Sequence, residues 1–486
     1  MIALPGLKNR LCAVYGLGVT GLAAAEALSA SGAQVFAWDE SEEARAKTQN
    51  TAYDATHPST WPWPELQFLC LSPGVPHTHP APHKIVAKAR EAGVKIIGDL
   101  ELFAWALDAL DPAVRPTVIA VTGSNGKSTT TALIAYILNQ AGEEASMGGN
   151  IGRPLLSLEP LRRGRFYVLE LSSYQLELAE SFRANVSVLL NVSPDHLERH
   201  GGMAGYLAAK QRIFYNQTPD DTAVVGVDDE HTQGVCAVLS GRRAARVVPI
   251  SSRGALGHGV YALGGRLFYH FDEASGEAGP VGGMLRGPHN WQNAAAALAA
   301  VAQVGVSPAQ AVKAMERFKG LAHRMETVAR AGPVVFVNDS KATNAAAAAR
   351  AVAAFDDVFL IAGGVGKDGG LAPLAAEAGS LRGVYLIGQS AAAFEKELGA
   401  VAPCRQCGNL AAAVAEATRD AQASGAPAPT VLLAPAAASF DQFKDFQDRG
   451  EAFRRLALAE AARAGADAPV ADARGPGDAQ TNGEAA

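Results

Sequence analysis

The sequence has little charge and no strong excess of either sign. Lysine and arginine number 42 against 48 aspartates and glutamates in 486 residues, a formal net charge of −6. A protein whose main partner is a nucleic acid usually carries a basic surface. We therefore expect no nucleic-acid partner, and any charged substrate must be met by a local cluster of residues.

Cysteine is scarce, and its five positions are scattered: Cys12, Cys70, Cys236, Cys404 and Cys407. An odd, dispersed set argues against a disulfide framework and favours a reducing compartment. The pair Cys404 and Cys407 could be redox-active or form half of a zinc site. No second Cys or His pair follows at metal-ligand spacing, so a structural role is favoured.

Long apolar runs are also missing. No segment reaches the roughly 20 apolar residues that a membrane-spanning helix needs. The N-terminus lacks the basic start and apolar core of a signal peptide. The sequence therefore predicts a cytoplasmic protein without a membrane span, and its 486 residues are too many for a single core.

What the sequence does contain is a phosphate-binding loop between a predicted strand at residues 118–121 and a helix that begins at Lys127. The loop is shorter than the common G-x-x-x-x-G-K-[ST], because Val121 stands at the first glycine position. Backbone N–H groups and the helix N-terminus attract a polyphosphate, Lys127 adds charge, and Ser128 can ligate Mg²⁺. The expected ATP contacts are Gly123, Ser124, Asn125, Gly126, Lys127, Ser128 and Thr129.

A second glycine-rich loop, residues 16–21, follows the first predicted strand, and Asp39 ends the second strand. Alone, this G-x-G-x-x-G pattern indicates a dinucleotide site, with the acid on a ribose hydroxyl. A tight turn without a ligand is the alternative.

Further polar residues follow predicted strands or begin helices. Glu170 ends a buried strand, where a carboxylate in such a domain usually faces the Mg²⁺ of the nucleotide. His196 follows the next strand, at the edge where α/β proteins bind ligands, with a lone surface histidine as the alternative. Asn290 and Asn293 share one helix face, with N-capping as the alternative. Lys210 lies on a helix and, from its local sequence, reads as solvated.

The alternation of strands and helices predicts an α/β protein of three domains. They are a Rossmann-like domain at 1–111, a central P-loop ATPase domain with a mostly parallel sheet at 112–320, and a Rossmann-like domain at 321–463. Residues 464–486 have no apolar periodicity and are predicted to be a disordered tail.

Several motifs, in this order, resemble those of the Mur ligase family over residues 8–460. They are residues 122–128, 149–152, 170–173, 195–196, 289–293 and 323–324. The segments 338–344 and 438–446 are similar to those of the family's D-glutamate-adding members.

The resemblance implies ATP-dependent amide formation in peptidoglycan precursor synthesis. The carboxylate of UDP-N-acetylmuramoyl-L-alanine would attack ATP to give an acyl phosphate and ADP. The amine of D-glutamate would then displace phosphate. The resemblance also implies UDP rather than NAD in the first domain, and we expect a monomer.

The resemblance assigns site residues by position. Lys127, Glu170, His196 and Lys210 would be catalytic. Two Mg²⁺ ions would be held by Ser128, Glu170, His196 and a carbamylated Lys210. Besides the loop, ATP would meet Asn290, Asn293, Arg324 and Asp339. The UDP substrate would meet Val19, Thr20, Asp39, Gly74 and Asn150. D-glutamate would meet Thr343, Lys367, Ser439 and Phe446.

Three competing hypotheses remain open at this point. A ligase of the same family could add a different amino acid. An NAD-dependent dehydrogenase could use residues 16–21, but it would leave the phosphate loop and Glu170 without a role. A nucleotide-dependent switch or transport ATPase would hydrolyse ATP independently of any amino acid.

Overall fold

The computed structural model describes residues 1–53, 55–282, 285, 287–366 and 370–464. The chain divides into two compact units, one ending at Phe318 and the other beginning at Lys319. The first unit holds a four-stranded and a nine-stranded sheet, and the second holds a six-stranded sheet. The predicted boundary between domains at residues 111 and 112 remains a prediction. Within these residues, no helix is long and apolar enough to cross a lipid bilayer.

The four-stranded sheet is entirely parallel, in the order β2-β1-β3-β4. Apolar strands lie at its centre, and β1 and β3 are almost completely buried. Its elements are β1 (Leu11–Tyr15), α1 (Val19–Ala30), β2 (Gln34–Trp38), α2 (Glu42–Ala46), β3 (Phe68–Leu71), α3 (Lys84–Glu91), β4 (Lys95–Ile97) and α4 (Asp99–Asp108).

The nine-stranded sheet begins with β5 (Thr117–Thr122), α5 (Lys127–Gln140), β6 (Glu144–Gly149), β7 (Arg165–Glu170), α6 (Ser173–Glu177), β8 (Val186–Leu189), α7 (Leu197–His200), α8 (Met203–Gln211), β9 (Thr222–Gly226) and α9 (Glu230–Arg242). It continues with β10 (Arg246–Ser251), β11 (Gly259–Leu263), β12 (Arg266–His270), β13 (Ser275–Pro280), α10 (Pro288–Ala302) and α11 (Pro308–Met315). The order is β13-β12-β11-β10-β9-β8-β5-β7-β6, and only the pairs β11–β12 and β12–β13 are antiparallel.

The strand order decides where this sheet can bind a ligand. β5 lies between β7 and β8, and the chain leaves β5 toward one side before it crosses to the other. In open α/β sheets, ligands bind at the carboxyl ends of the strands where the order reverses. The loop after β5, Glu170 at the end of β7 and the residues after β8 therefore meet at one edge.

The second unit contains β14 (Glu326–Ala331), β15 (Val334–Asn338), α12 (Ala345–Val352), β16 (Val358–Gly363), α13 (Ala372–Ala375), β17 (Leu381–Ile387), α14 (Ala391–Leu398), β18 (Cys404–Gly408), α15 (Leu410–Ala423), β19 (Thr430–Leu433) and α16 (Phe446–Arg463). The order is β14-β15-β19-β16-β17-β18, with only β14–β15 antiparallel. The α/β class and the mostly parallel sheets agree with the sequence-based prediction.

The two cysteines of the Cys-x-x-Cys pair lie on opposite faces of this last sheet. Cys404 packs against one apolar cluster and Cys407 against the other, and both thiols are free. Strand side chains alternate between faces, so residues three apart point in opposite directions. The pair therefore fits the structural role and cannot form one redox or zinc site from this strand.

Candidate functional site

The phosphate-binding loop has the backbone that its glycines predict. Gly126 precedes α5 with φ +84°, a left-handed conformation, and Gly123 has φ +153°. A Cβ on Gly126 would lie 2.2 Å from Oδ1 of Asn293. Only glycine fits here, and it places the N-terminus of α5 at the carboxyl edge of the sheet, after β5.

Lys127 folds back over the loop. Its Nζ donates to the carbonyl oxygens of Gly123 and Ser124, both at 2.9 Å. Ser128, the next residue of α5, is almost completely buried. The loop thus holds one cation at its mouth and one hydroxyl just inside it, as a polyphosphate site requires.

Asn125 is held by a chain of amide side chains that the sequence did not reveal. Its N–H donates to Oδ1 of Asn191 at 2.9 Å, and Nδ2 of Asn191 donates back to its carbonyl oxygen at 3.2 Å. Asn191 also donates to Gln292, which donates to Asp228, each at 2.9 Å. This network ties the loop to two neighbouring strands and to α10, so it fixes the loop's shape.

Asn293 and Asn290 lie on the face of α10 that meets the loop. Oδ1 of Asn293 accepts from the hydroxyl of Thr130, and its Nδ2 donates to Oδ1 of Asn290, both at 3.2 Å. The N-cap of α10 is Gly287, without a side-chain cap. The N-capping alternative is therefore wrong for both asparagines, while their contact with ATP remains a prediction.

Lys210 is buried, with 1% of its surface exposed, so the expectation of a solvated lysine is wrong. Its Nζ donates to the carbonyl oxygen of Gly123 at 2.8 Å and lies 4.5 Å from the ring centre of Tyr206. Burial, reinforced by the nearby charge of Lys127, brings the pKa of Lys210 well below its ordinary value. The structure thus brings a second, easily deprotonated amine to the loop.

Glu170 is the strongest metal-ligand candidate. It is 2% exposed, and its Oε1 accepts from Nδ2 of Asn150 at 2.8 Å. Its Oε2 is buried and has no hydrogen-bond partner among the described residues. A buried, unpartnered carboxylate oxygen is costly unless a cation meets it, so this residue fits the expected Mg²⁺.

His196 lies at the surface of the site. Its side chain is 48% exposed, and its Nε2 lies 3.5 Å from Oδ2 of Asp195. The ring of Tyr174 lies between those of His196 and His200, with centroid distances of 5.2 and 5.4 Å. Among the described residues, no three His, Cys, Asp or Glu side chains converge as a metal site.

His200 was missed by the sequence reading. It is 6% exposed, and its Nε2 lies 2.9 Å from Oγ of Ser173. Burial lowers the pKa of His200, so the neutral ring is favoured. Tyr206, which touches Lys210, also packs against His200. His200 stands one residue before the Gly201-Gly202 turn, and no pattern in the sequence around it predicts a role in the site.

The N-terminal glycine loop is braced by the acid that follows β2. Asp39 accepts the N–H of Leu17 at 2.6 Å and that of Ser41 at 2.8 Å. Val19 is 71% exposed at the start of α1, and Thr20 is half-buried beside it. The carboxylate therefore shapes the loop, and its contact with UDP remains a prediction.

The loop that contains Gly74 is tied to helix α7. The guanidinium of Arg199, on α7, donates to the carbonyl oxygens of Pro73 and Val75 and stacks on Tyr174 with its carbon 4.8 Å from the ring centre. Gly74 itself is exposed between those two carbonyls. The expected UDP residues Gly74 and Asn150 are thus both held by partners in the first unit.

In the second unit, Asp339 lies at the carboxyl end of β15. It accepts the N–H of Met325 at 3.2 Å. Burial raises its pKa to about 6, and the charge of Arg324 opposes that rise. The two residues expected to meet ATP in this unit are therefore close to each other, while their role remains a prediction.

The residues expected to bind D-glutamate follow three strands of this same sheet. Thr343 is half-buried after β15, Ser439 is 2% exposed after β19, and Phe446 begins α16. Lys367, after β16, lies outside the described residues. Lys341, which the sequence reading missed, places its Nζ 4.0 Å from the ring centre of Phe446.

Comparisons with known proteins identify the family of the chain. Residues 121–301 match the Mur ligase middle domain, and residues 323–437 match the Mur ligase, glutamate ligase domain. A UDP-N-acetylmuramoylalanine--D-glutamate ligase of Caulobacter sp. (strain K31) is 51% identical over 460 residues, covering 93% of this chain and 97% of the relative. The enzyme of that name from Nitrobacter winogradskyi is 46% identical, covering 94% and 98%. The chain therefore belongs to the Mur ligase family.

Solved structures agree on the fold. The UDP-N-acetylmuramate-alanine ligase of Thermotoga maritima has a TM-score of 0.56 at 17% identity, covering 93% of this chain and 99% of that one. The UDP-N-acetylmuramoylalanyl-D-glutamyl-2,6-diaminopimelate--D-alanyl-D-alanyl ligase of Acinetobacter baumannii has a TM-score of 0.54 at 20% identity, covering 78% and 87%. At these identities the likeness concerns the fold alone.

Proposed function

We propose that this protein joins D-glutamate to UDP-N-acetylmuramoyl-L-alanine at the expense of ATP, through an acyl-phosphate intermediate. Relatives named UDP-N-acetylmuramoylalanine--D-glutamate ligase align over more than nine-tenths of both chains, with about half of the aligned residues identical. The observation that carries the proposal is the edge of the nine-stranded sheet, where Lys127 and Lys210 meet at Gly123 with Glu170 nearby. The reaction brings two anions together, and this edge concentrates the charges that it needs.

The first chemical step sets the demand on the site. The substrate carboxylate attacks the γ-phosphorus of ATP, and the bond between that phosphorus and the β–γ bridging oxygen breaks to release ADP. Two unit charges about 4 Å apart repel by about 4 kcal/mol at an effective dielectric of about 20. Lys127 offsets this repulsion at the β- and γ-phosphates, and the N–H groups of the loop orient the chain of phosphates.

Mg²⁺ fits the residues that the loop presents. Ser128 and Glu170 would hold one ion, and His196 with Lys210 would hold a second. Bound Mg²⁺ supplies positive charge to phosphate and carboxylate oxygens. Within the chain, Asn150 orients Glu170 through its 2.8 Å hydrogen bond, and the unpartnered Oε2 is the oxygen that would ligate the ion.

We further propose that Lys210 is carbamylated. A neutral amine adds to CO₂, its nitrogen–carbon bond forms, and one proton leaves to water, so an ammonium becomes an anionic ligand. The depressed pKa of this buried lysine favours the neutral amine that the reaction requires. Without carbamylation, a protonated Lys210 would place a second positive charge beside Lys127.

The second chemical step belongs to D-glutamate. Its neutral amine attacks the acyl carbon, a carbon–nitrogen bond forms, the bond between the acyl carbon and the phosphate oxygen breaks, and the proton lost by the nitrogen leaves with the phosphate. Thr343, Lys367, Ser439 and Phe446 are proposed to hold the amino acid, and Val19, Thr20, Asp39, Gly74 and Asn150 the UDP-sugar. Arg324, Asp339, Asn290 and Asn293 are proposed to contact ATP. The roles of all these residues rest on their positions in the family's motifs.

The decisive assay measures phosphate release from ATP with UDP-N-acetylmuramoyl-L-alanine, with and without D-glutamate. We expect release to require both substrates. A panel of other amino acids under the same conditions tests which amino acid is the substrate. Faster turnover with another amino acid would show that D-glutamate is not the preferred substrate.

A dehydrogenase and a nucleotide-dependent switch would give different results in simple experiments. Binding of NAD but not of the UDP-sugar would favour the dehydrogenase, which the family membership leaves without support. ATP hydrolysis at the same rate with no amino acid present would favour the switch.

The carbamate has its own test. We expect Lys210→Ala to be nearly inactive and to recover in part with a small carboxylic acid, because a free carboxylate can stand in the place of the carbamate. Electron density for a bare ammonium at Lys210 in a crystal with ATP bound would contradict carbamylation.

A further inference from the structure

Arg449 is a buried charge that the reaction described above does not use. It lies in the first turn of α16, is 1% exposed, and forms no ion pair with another described residue. Buried arginines are usually paired with carboxylates. The carboxylate of Asp441 acts on Arg449 through its opposite charge, and it accepts the N–H of Gln389 at 2.9 Å.

Among the described residues, the guanidinium donates hydrogen bonds to backbone and hydroxyl oxygens only. Its Nε donates to Oγ of Ser340 at 3.0 Å, and NH2 donates to the Ser340 carbonyl at 2.9 Å. NH1 and NH2 both donate to the carbonyl oxygen of Ala437 at 3.2 Å. None of these partners neutralises its charge.

These bonds join the segments on which D-glutamate binding is proposed. Ser340 lies three residues before Thr343, and its hydroxyl donates to the carbonyl oxygen of Phe446 at 2.7 Å. Ala437 lies two residues before Ser439. Arg449 therefore connects the stretches after β15 and β19 with the start of its own helix.

The glycine loop after β16 meets the same group. A Cβ on Gly364 would lie 3.3 Å from NH1 of Arg449 and 2.1 Å from the carbonyl oxygen of Ala438. Val365 and Ala438 exchange two backbone hydrogen bonds, at 2.8 and 3.0 Å. The glycine is needed so that this loop, which leads to Lys367, can approach the guanidinium and the loop after β19.

We propose that Arg449 is a positioning residue for the dicarboxylate substrate: its hydrogen bonds hold the loops after β15 and β19 together, and it supplies a fixed positive charge beside these two loops and the loop after β16. The proposal rests on the proposed D-glutamate ligase function. A charge held in a water-poor interior acts over a longer range than one in solvent. D-glutamate carries two carboxylates, so a cation beneath its site favours it over a neutral amino acid.

The test separates charge from packing by comparing Arg449→Met and Arg449→Gln with Arg449→Lys. We expect the KM for D-glutamate to rise at least about 10-fold in the two neutral variants and no more than about 3-fold in the lysine variant. The KM for ATP should stay within about twofold in all three. Ser340→Ala, which removes both hydrogen bonds of its hydroxyl but keeps the charge of Arg449, should resemble the lysine variant.

The lysine variant also provides a pH profile. A buried lysine loses its proton more easily than an arginine, so the ratio of its D-glutamate KM to that of the wild type should grow from pH 7 to pH 9.5. This ratio tests the role of the positive charge at position 449 even if the neutral variants fail to fold. A ratio independent of pH, or a lysine variant as impaired as the methionine variant, overturns the charge role.

The two proposals fail in different ways. Wild-type protein that does not turn over D-glutamate refutes the proposed function itself. Wild-type protein that turns over D-glutamate, together with folded neutral variants whose D-glutamate KM is unchanged, refutes the role of Arg449 alone.

Discussion

Two lysines share one acceptor in the phosphate-binding loop, the carbonyl oxygen of Gly123. Lys127 reaches it at 2.9 Å from within the loop and Lys210 at 2.8 Å from α8. Two cations this close repel each other, and this repulsion adds to the effect of burial in lowering the pKa of Lys210. An anion at the loop mouth relieves that repulsion, so phosphate binding and the state of Lys210 should depend on each other.

Replacing Lys127 with alanine should lower turnover by about 10²-fold or more, since the reaction loses a cation directed at the phosphates. The fold should survive, because the side chain bonds to the carbonyls of its own loop. Phosphate-release kinetics and a thermal melt measure the two effects. Lys396→Ala, an exposed lysine on α14, is the control, and activity of Lys127→Ala within a few-fold of wild type would contradict the loop assignment.

Lys367 lies outside the described residues, so its role rests on the sequence. Lys367→Met removes the cation and keeps the length of the stem. We expect the KM for D-glutamate to rise by about 10-fold to 100-fold, as for a lost charge-assisted contact. Parallel measurement of the ATP KM is the control, and an equal rise in both would place Lys367 at the nucleotide.

At the scale of elements, α5 begins and ends at glycines of similar conformation but different surroundings. Gly126 has φ +84° and faces Asn293, whereas Gly142, just after the helix, has φ +91° and no atom within 4 Å of where a Cβ would lie. Alanine at either position meets the same left-handed backbone, which costs roughly 1–2 kcal/mol. Only the first would also displace the side chain of Asn293.

Gly126→Ala and Gly142→Ala therefore form a matched pair. Both should lower the free energy of unfolding, Gly126→Ala by more because it also displaces Asn293, and only Gly126→Ala should raise the KM for ATP, by about 10-fold or more. Denaturant unfolding and ATP titrations of the initial rate measure these quantities. Equal ATP KM values in the two variants would show that the approach of α10 to the loop does not matter for nucleotide binding.

The contact between α4 and α6 contains a buried acid. Asp99 is 2% exposed, its Oδ2 accepts from Nε2 of Gln175 at 3.0 Å, and its Oδ1 has no partner among the described residues. Burial raises its pKa from 3.8 to about 6. The unfolded chain thus releases this proton at a lower pH than the folded protein does.

The raised pKa of Asp99 determines how the free energy of unfolding changes with pH. Stability from Asp99 is fully present below pH 3.8 and is lost as the pH rises to about 6, a loss on the order of 3 kcal/mol. Asp99→Asn should remove this slope and be the more stable protein at pH 7, as measured by denaturant unfolding at several pH values. Asp220→Asn, at an exposed turn, is the control, and a slope unchanged by Asp99→Asn would contradict the raised pKa.

At the scale of the whole molecule, the last described helix ends at Arg463 and its cap is Ala464. Its buried face, which includes Phe453, Ala457 and Ala461, already packs against the core of the second unit. A chain that ends after Ala464 should therefore keep wild-type activity and melting temperature, because the following sequence has no apolar face to dock. A fall in melting temperature of several degrees would show that the tail packs.

The sequence by itself determined the features whose cause is local. A β-branched run, two glycines and a lysine at a helix start are enough to build the phosphate-binding loop, since backbone conformation and helix N-termini act over a few residues. The parallel strands and the ordered motifs of the family could be predicted from the sequence for the same reason. The hairpin-like pairing of β11, β12 and β13 was not predicted, because residues 259–280 carry no strong alternation.

Only the tertiary structure decided which polar side chains are buried. Lys210 looks solvated in its own helix, and it becomes a depressed-pKa amine because α8 packs against the loop after β5. Asn191 likewise acquires its role from a partner more than 60 residues away in the chain. For Arg449, the partner Ser340 is more than 100 residues away. Burial and hydrogen-bond partnership depend on what other elements cover a residue, and the covering elements come from distant parts of the chain.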